Sequence, residues 1–176
     1  LYFREVDEVF EEELANTLED YQDEEKHFVE KFENILKAMA LPYNGSSLLD
    51  CDRRCQERLQ RLPDSGEQSF EFFLAANLIA ECLADFAAQS VQSIHKLGQL
   101  LLITETAVRQ KTFSDFHDLI GRRISFYSDQ FAQHISSVGV PGEETDELVT
   151  TVFLAAGDAF SYVQQSFRLL RPLLIL

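Results

Sequence analysis

Residues 69–104 read SFEFFLAANLIAECLADFAAQSVQSIHKLGQLLLIT, and the fold follows from how the polar side chains are spaced in them. Asn77, Glu81, Asp85, Gln89, Gln92, Lys96 and Gln99 recur at steps of three and four. On an α-helix that spacing forms one narrow row. Off the row the stretch is almost entirely apolar, with Phe72, Phe73, Ala76, Ile79, Ala80, Leu83, Phe86, Ala87, Val91, Ile94, Leu97 and Leu101. A helix wet along one row and dry elsewhere needs two or more neighbours to cover it. The stretch therefore reads as the central helix of a bundle.

The remaining segments supply those neighbours. Residues 4–41 contain no Gly or Pro, and Leu14, Leu18, Tyr21, Phe28, Phe32, Ile35 and Met39 keep helical steps. One unbroken helix there would run about 57 Å. Pro42 ends it, and Asn44-Gly45 marks a turn. Ser46 or Ser47 is placed to cap a short helix through Leu62 that carries Arg53, Arg54, Arg58 and Arg61. A loop at 63–68 leads into the central helix. Thr104 and Thr106 are cap candidates for a helix over 108–138, with Phe113, Phe116, Ile120, Ile124, Tyr127, Phe131 and Ile135 on its core stripe. Gly139 sits where a helix C-cap glycine belongs. The last helix opens with Glu143, Glu144 and Asp146 at its positive end. Its core stripe reads Val149, Val152, Phe153, Ala156, Phe160, Val163, Phe167 and Leu170, and Pro172 ends or kinks it. No segment alternates with the period of a strand.

These elements define an all-α chain: an elongated antiparallel up-and-down four-helix bundle with one additional short helix, in a single domain over 1–176. The length of 176 residues and the 45% apolar content suit one sizeable core. Residues 1–27 read as an acidic, peripheral helix. From 4 to 34 there are 13 acids against 3 bases, most of the total net charge of −15. The plain reading of that run is a solvated face, and the alternative is a patch for a basic partner. The arginines of the short helix then answer the acidic helix. So negative a chain excludes nucleic acid and anionic membrane as direct partners, and it lacks the basic face of a membrane-bending crescent. Its uncharged stretches are too short for a membrane span, which reads as a soluble protein. Three cysteines make no disulfide framework and point to a reducing, cytoplasmic compartment.

No enzymatic constellation emerges. A carboxylate-bridged di-iron bundle needs two Glu-x-x-His motifs, and only Glu24 and His27 make one. Cys51 and Cys55 lack a nearby histidine for zinc, and the seven glycines form no phosphate loop. His95, beside the polar row, reads as a side chain satisfying a neighbour. The expectation is therefore no catalytic residue, no metal and no cofactor. Apolar residues off the core stripes are more informative. Tyr162, Leu169 and Leu173 lie opposite the stripe of the last helix, near Arg168. Leu119 and Phe126 lie off the stripe of the preceding helix, beside Arg122 and Arg123. Two apolar seams rimmed by arginine read as a partner surface. The alternative is that both seams are covered within the bundle.

Three ordered segments carry a resemblance: ECLADFAAQSVQSIHKLGQLLL (81–102), FAQHISSVG (131–139) and DELVTTVFLAAGDAFSYVQQSFRLLRPLL (146–174). They resemble the C-terminal region of the proteins called "family with sequence similarity 114". The matching positions are Glu81, Leu83, Ala84, His95, Lys96, Val138, Gly139, Tyr162, Phe167, Leu170, Pro172 and Leu173. Animal members carry a long acidic low-complexity insert before the central helix, where this chain has only 63–68. The resemblance implies a non-enzymatic protein peripheral to Golgi membranes that binds a GTP-loaded Rab-family small GTPase. It also implies adaptor work in recycling Golgi residents, with coat proteins or the cytoplasmic tails of those residents as further partners. The alternative function is a structural module for homodimerisation or coat assembly.

Overall fold

Four α-helices occupy the residues that the computed structural model describes, 48–67 and 69–176: α1 (Leu48–Gln60), α2 (Ser69–Leu101), α3 (Thr106–Val138) and α4 (Gly142–Leu170). A 3-10 turn over Arg171–Ile175 follows, and no strand occurs among these residues. The helix expected over 4–41, the Asn44-Gly45 turn and the Glu24–His27 pair lie outside them. The three long helices start and stop within about three residues of their predicted bounds, because their punctuation is chemical. Gly139 adopts φ 76°, ψ 37°, the left-handed conformation that ends α3. Pro172 cannot donate a helical hydrogen bond, and the chain tightens into the 3-10 turn there. Neither threonine caps α3, contrary to expectation. Thr104 Oγ1 donates back to the Leu101 carbonyl and Thr106 Oγ1 donates to the Leu176 carbonyl, leaving Glu105 at the N-cap without a side-chain bond.

Chain direction alternates from helix to helix. Arg54 meets Asp85 and Arg61 lies near Glu71, so α1 and α2 run antiparallel. His117 meets Gln164 and Phe113 meets Phe167, so α3 and α4 do too. Spatially the ring runs α1, α2, α4, α3, and its most extensive contact joins the parallel pair α2 and α4. Alanines explain that proximity. Ala80 and Ala84 of α2 share a groove with Ala155 and Ala159 of α4, so the two backbones approach without large side chains between them. Farther along, Gly98 lies directly beneath Leu170. The central position of α2 follows, since Phe72, Ile79, Leu83, Phe86, Ile94 and Leu97 are all fully buried.

The short helix α1 is a corner of this ring rather than an appendage. Leu48, Cys51 and Cys55 enter the core, and Asp52 is buried beside them. Asp52 Oδ1 accepts a hydrogen bond from Arg123 Nε at 2.7 Å and another from the Tyr127 hydroxyl, both on α3. Tyr127 in turn sits edge-on against Phe86 of α2, with ring centroids 5.4 Å apart. One acidic side chain therefore ties α1 to α3 inside the bundle.

Both ends of α3 are fastened to connecting segments. At its C-terminal end, His134 Nε2 donates to the Pro63 carbonyl at 2.7 Å, and the Gly66 amide donates to the Val138 carbonyl at 3.2 Å. Only glycine fits at 66, because a Cβ there would come within 2.8 Å of the Gly139 carbonyl carbon and the Val138 oxygen. At its N-terminal end, Arg109 donates to the carbonyls of Thr104, Leu173 and Leu176. No helix among the described residues is long and apolar enough to cross a membrane.

Candidate partner-binding surface

The outward side of α4 gathers the apolar residues that the core does not take. The buried face of α4 comprises Leu148, Val152, Ala156, Ala159, Val163, Ser166, Phe167 and Leu170. Relative to the expected stripe it is turned toward α2, since the small Ala155 and Ala159 admit that helix. Phe153 and Phe160, expected in the core, are displaced to the opposite flank and are 43% and 38% exposed. The paired spacing Ala80-x3-Ala84 and Ala155-x3-Ala159 was the signal for this rotation, because small residues one turn apart mark close helix contact. Two grooves result, one on each side of α4.

Between α4 and α2 runs a groove of about 390 Å³, floored by Ala80, Ala84, Ala87, Ala155 and Ala159. Tyr162 and Asp158 stand at its edge. Tyr162 is 50% exposed, and Leu169, two turns on, is 72% exposed. Arg168 beside them is also exposed. The first predicted seam therefore stands on the surface. Leu173 is the exception within it: the 3-10 turn folds it back against the core, half-buried.

Between α4 and α3 lies an open groove of about 620 Å³, edged by His117, Gly121, Arg122, Ser125, Phe126, Asp129 and Phe160. Phe160 rests on Gly121, where a Cβ would meet its ring at 2.9 Å. Deeper in the same flank, the Gln164 amide donates to His117 Nε2 at 2.6 Å, and His117 Nδ1 faces Asp118 at 3.2 Å. These bonds position the imidazole as a strut between the two helices.

The second predicted seam does not form as expected. Leu119 is 3% exposed and belongs to the core. Its flank of α3 turns toward α1, where Arg123, one turn later, reaches Asp52. Phe126 is half-buried beneath the Arg123 guanidinium, whose carbon lies 4.3 Å from the ring centroid. Arg122 alone of that group is exposed, on the rim of the α3–α4 groove. Phe160 and Phe153 supply the apolar surface that Leu119 and Phe126 do not.

No group of acidic, histidine or cysteine side chains among the described residues is arranged to hold a metal ion. His95 is exposed on α2. The chain matches no protein-family model, and no solved structure is similar to it.

Proposed function

We propose that this chain is a non-enzymatic trafficking adaptor whose α4 docks a GTP-loaded Rab-family GTPase at Golgi membranes, in support of recycling Golgi residents. The observation that carries the reading is the exposed strip of Tyr162 and Leu169, with Arg168 beside it, on a helix whose other face is fully committed to the core. Anchors of this kind, a tyrosine and an arginine with a large aliphatic neighbour, dominate the energetics of protein interfaces. The switch segments of a small GTPase are ordered only with the γ-phosphate in place, so a rigid helix distinguishes the two nucleotide states without a cofactor of its own. The resemblance of 81–102, 131–139 and 146–174 to the "family with sequence similarity 114" proteins supports the same reading, because Tyr162 is among the matching positions. A net charge of −15 disfavours recruitment by anionic lipid, which makes a protein partner the more natural route to a membrane. Capture of Rab proteins on the immobilised chain is the test. Retention of one or more GTP-loaded forms over their GDP forms supports the proposal, and equal capture of both states rejects it.

A second reading draws on Phe153, Leu154 and Phe160, which leave another part of α4 apolar. It makes the chain a structural module that buries that flank in a homodimer or coat assembly. Light scattering separates the two: a monomer favours the adaptor, and a tight dimer disrupted by Leu154→Asp favours the scaffold.

A further inference from the structure

One end of the bundle gathers exposed aliphatic side chains from two segments far apart in sequence. The turn between α2 and α3 presents Leu102 and Ile103, 55% and 38% exposed. The tail after α4 presents Ile175 and Leu176, 83% and 68% exposed. Two bonds hold the segments side by side: Thr106 Oγ1 donates to the Leu176 carbonyl at 3.2 Å, and Arg109 Nη1 donates to the same oxygen at 2.8 Å. The backbone of the turn is satisfied from within. The Ile103 amide donates to the Leu100 carbonyl at 3.0 Å, the Thr104 amide donates to the Leu101 carbonyl, and the Thr104 carbonyl accepts from Arg109 Nε at 2.8 Å. An apolar tip whose own amides and carbonyls are paired leaves water with little loss of hydrogen bonding.

Charge is divided between the two ends of the described bundle. Residues 98–111 and 168–176, at the apolar tip, hold four bases and one acid. Residues 61–71 and 139–147, at the opposite end, hold one base and seven acids. α3, with 33 residues, runs from one end to the other, about 50 Å at the helical rise. That is several times the Debye length of about 8 Å at physiological salt, so the far acids do not repel what the tip touches. At the tip, Arg168 is exposed and forms no ion pair among the described residues. Arg171 is also exposed, with its guanidinium carbon 5.6 Å from the centroid of the Phe113 ring. Lys111 is paired with Asp115 at 2.9 Å.

We propose that this tip is a membrane contact. Leu102, Ile103, Ile175 and Leu176 enter the headgroup layer of a zwitterionic, loosely packed bilayer, and Arg168 and Arg171 meet lipid phosphates. A bilayer surface is layered in the same order, with an apolar zone beneath a plane of phosphates. Protein interfaces are instead anchored by aromatic side chains, and none of the four tip residues is aromatic. The net charge of −15 counts against an anionic membrane, whereas a zwitterionic surface carries no net charge to repel the chain. Glu105, the one acid at the tip, is exposed and keeps the contact shallow. Four aliphatic side chains bury less than an acyl chain does. Half-binding therefore falls on the order of 1 mM accessible lipid, about tenfold weaker than a single myristoyl chain gives. The inference does not rest on the GTPase reading, since none of the four side chains belongs to the strip of Tyr162 and Leu169.

The experiment floats the protein with small unilamellar vesicles of dioleoylphosphatidylcholine, with lipid raised to about 10 mM. The expected result is flotation that grows with lipid, falls roughly tenfold in Leu102→Asp and in Ile103→Asp, and is unchanged in Tyr162→Ala. These positions are exposed, so the changes leave the core intact. The chain has no Trp, so Ile103→Trp supplies a single fluorophore at the tip. Its emission is expected to shift to the blue on adding vesicles and to be quenched by lipid brominated in the acyl chain. Leu154→Trp, on the flank of α4, is expected to show neither change. Absence of flotation at the highest lipid concentration, flotation that both Asp variants retain, or a Trp at 103 that vesicles leave unshifted would each overturn the proposal. A dimer in lipid-free solution that Ile103→Asp splits would assign the tip to a second copy of the chain and overturn it as well. The vesicles carry no GTPase, so none of these outcomes bears on Rab capture.

Discussion

Arg123 donates from Nε to Oδ1 of Asp52 at 2.7 Å, and both side chains are buried where α1 meets α3. The Tyr127 hydroxyl donates to the same oxygen. Removing one member of a buried ion pair costs far more than replacing both, because the survivor is left charged in a dry site. Asp52→Ala is therefore expected to destabilise the bundle by about 3–5 kcal/mol. The double change Asp52→Leu with Arg123→Met should recover much of that loss. Urea denaturation followed by circular dichroism measures both, and a small effect for Asp52→Ala would show that α1 is not held this way.

The exposed strip and the buried leucine separate docking from folding. Tyr162→Ala and Leu169→Asp are expected to weaken capture of a GTP-loaded Rab by tenfold or more while leaving helical content and melting temperature nearly unchanged. Leu119→Ala should behave in the opposite sense, losing about 2–5 kcal/mol of stability through a core cavity. Binding assays and thermal melts on the three variants decide it. A Leu119→Ala protein as stable as the parent would return that residue to the surface.

Alanine packing between α2 and α4 makes a further point of attack. Ala159 is buried at the floor of the groove, and Ala159→Leu must push the helices apart. The expected cost is about 1–3 kcal/mol, the usual penalty for overpacking. The denaturation midpoint reads it, and tolerance of leucine would mean that the two backbones are not in close contact.

The alkaline pH dependence has a definite shape. Cys82, held down at about 7, ionises in the folded protein well before an ordinary thiol near 9 does so in the unfolded chain. A depressed acid adds stability above its unfolded value and loses it as pH falls through its folded one. Stability should therefore rise between about pH 7 and pH 9 on this account. Above that range Cys51, Cys55 and Tyr127, all raised by their surroundings, stay neutral in the fold while their unfolded counterparts ionise, and stability should fall. Melting temperatures under reducing conditions across pH 6–10 test the pattern. Cys82→Ser should erase the rise and keep the decline.

Sequence pattern was most informative where a local rule decides the outcome. Gly139, Pro172 and the polar row of Asn77, Glu81 and Asp85 mark helix ends and faces through backbone and solvation chemistry that needs no partner. It was least informative where the choice depends on which helix lies opposite. Phe153 and Phe160 looked like core because they are large, yet the alanines on the adjoining face admit α2 more closely. Leu119 looked spare because the corner formed by α1 is not visible in the periodicity of α3. Arg123 stood beside Arg122 as one of two surface charges, and only the long-range meeting with Asp52 distinguishes them. On the candidate surface, Tyr162, Leu169 and Arg168 were legible, whereas the aromatic pair across α4 was not.

The fastenings at the two tips of α3 have a mechanical corollary. Helix tips ordinarily fray, since their last amides and carbonyls lack partners within the helix. Here His134 and the Gly66 amide hold one tip, and Arg109 holds the other. The rod is pinned lengthwise between the loop before α2 and the tail after α4. Deuterium should therefore enter the termini of α3 more slowly than those of α4. Any yielding of the bundle under load would therefore begin away from the two pinned tips of α3.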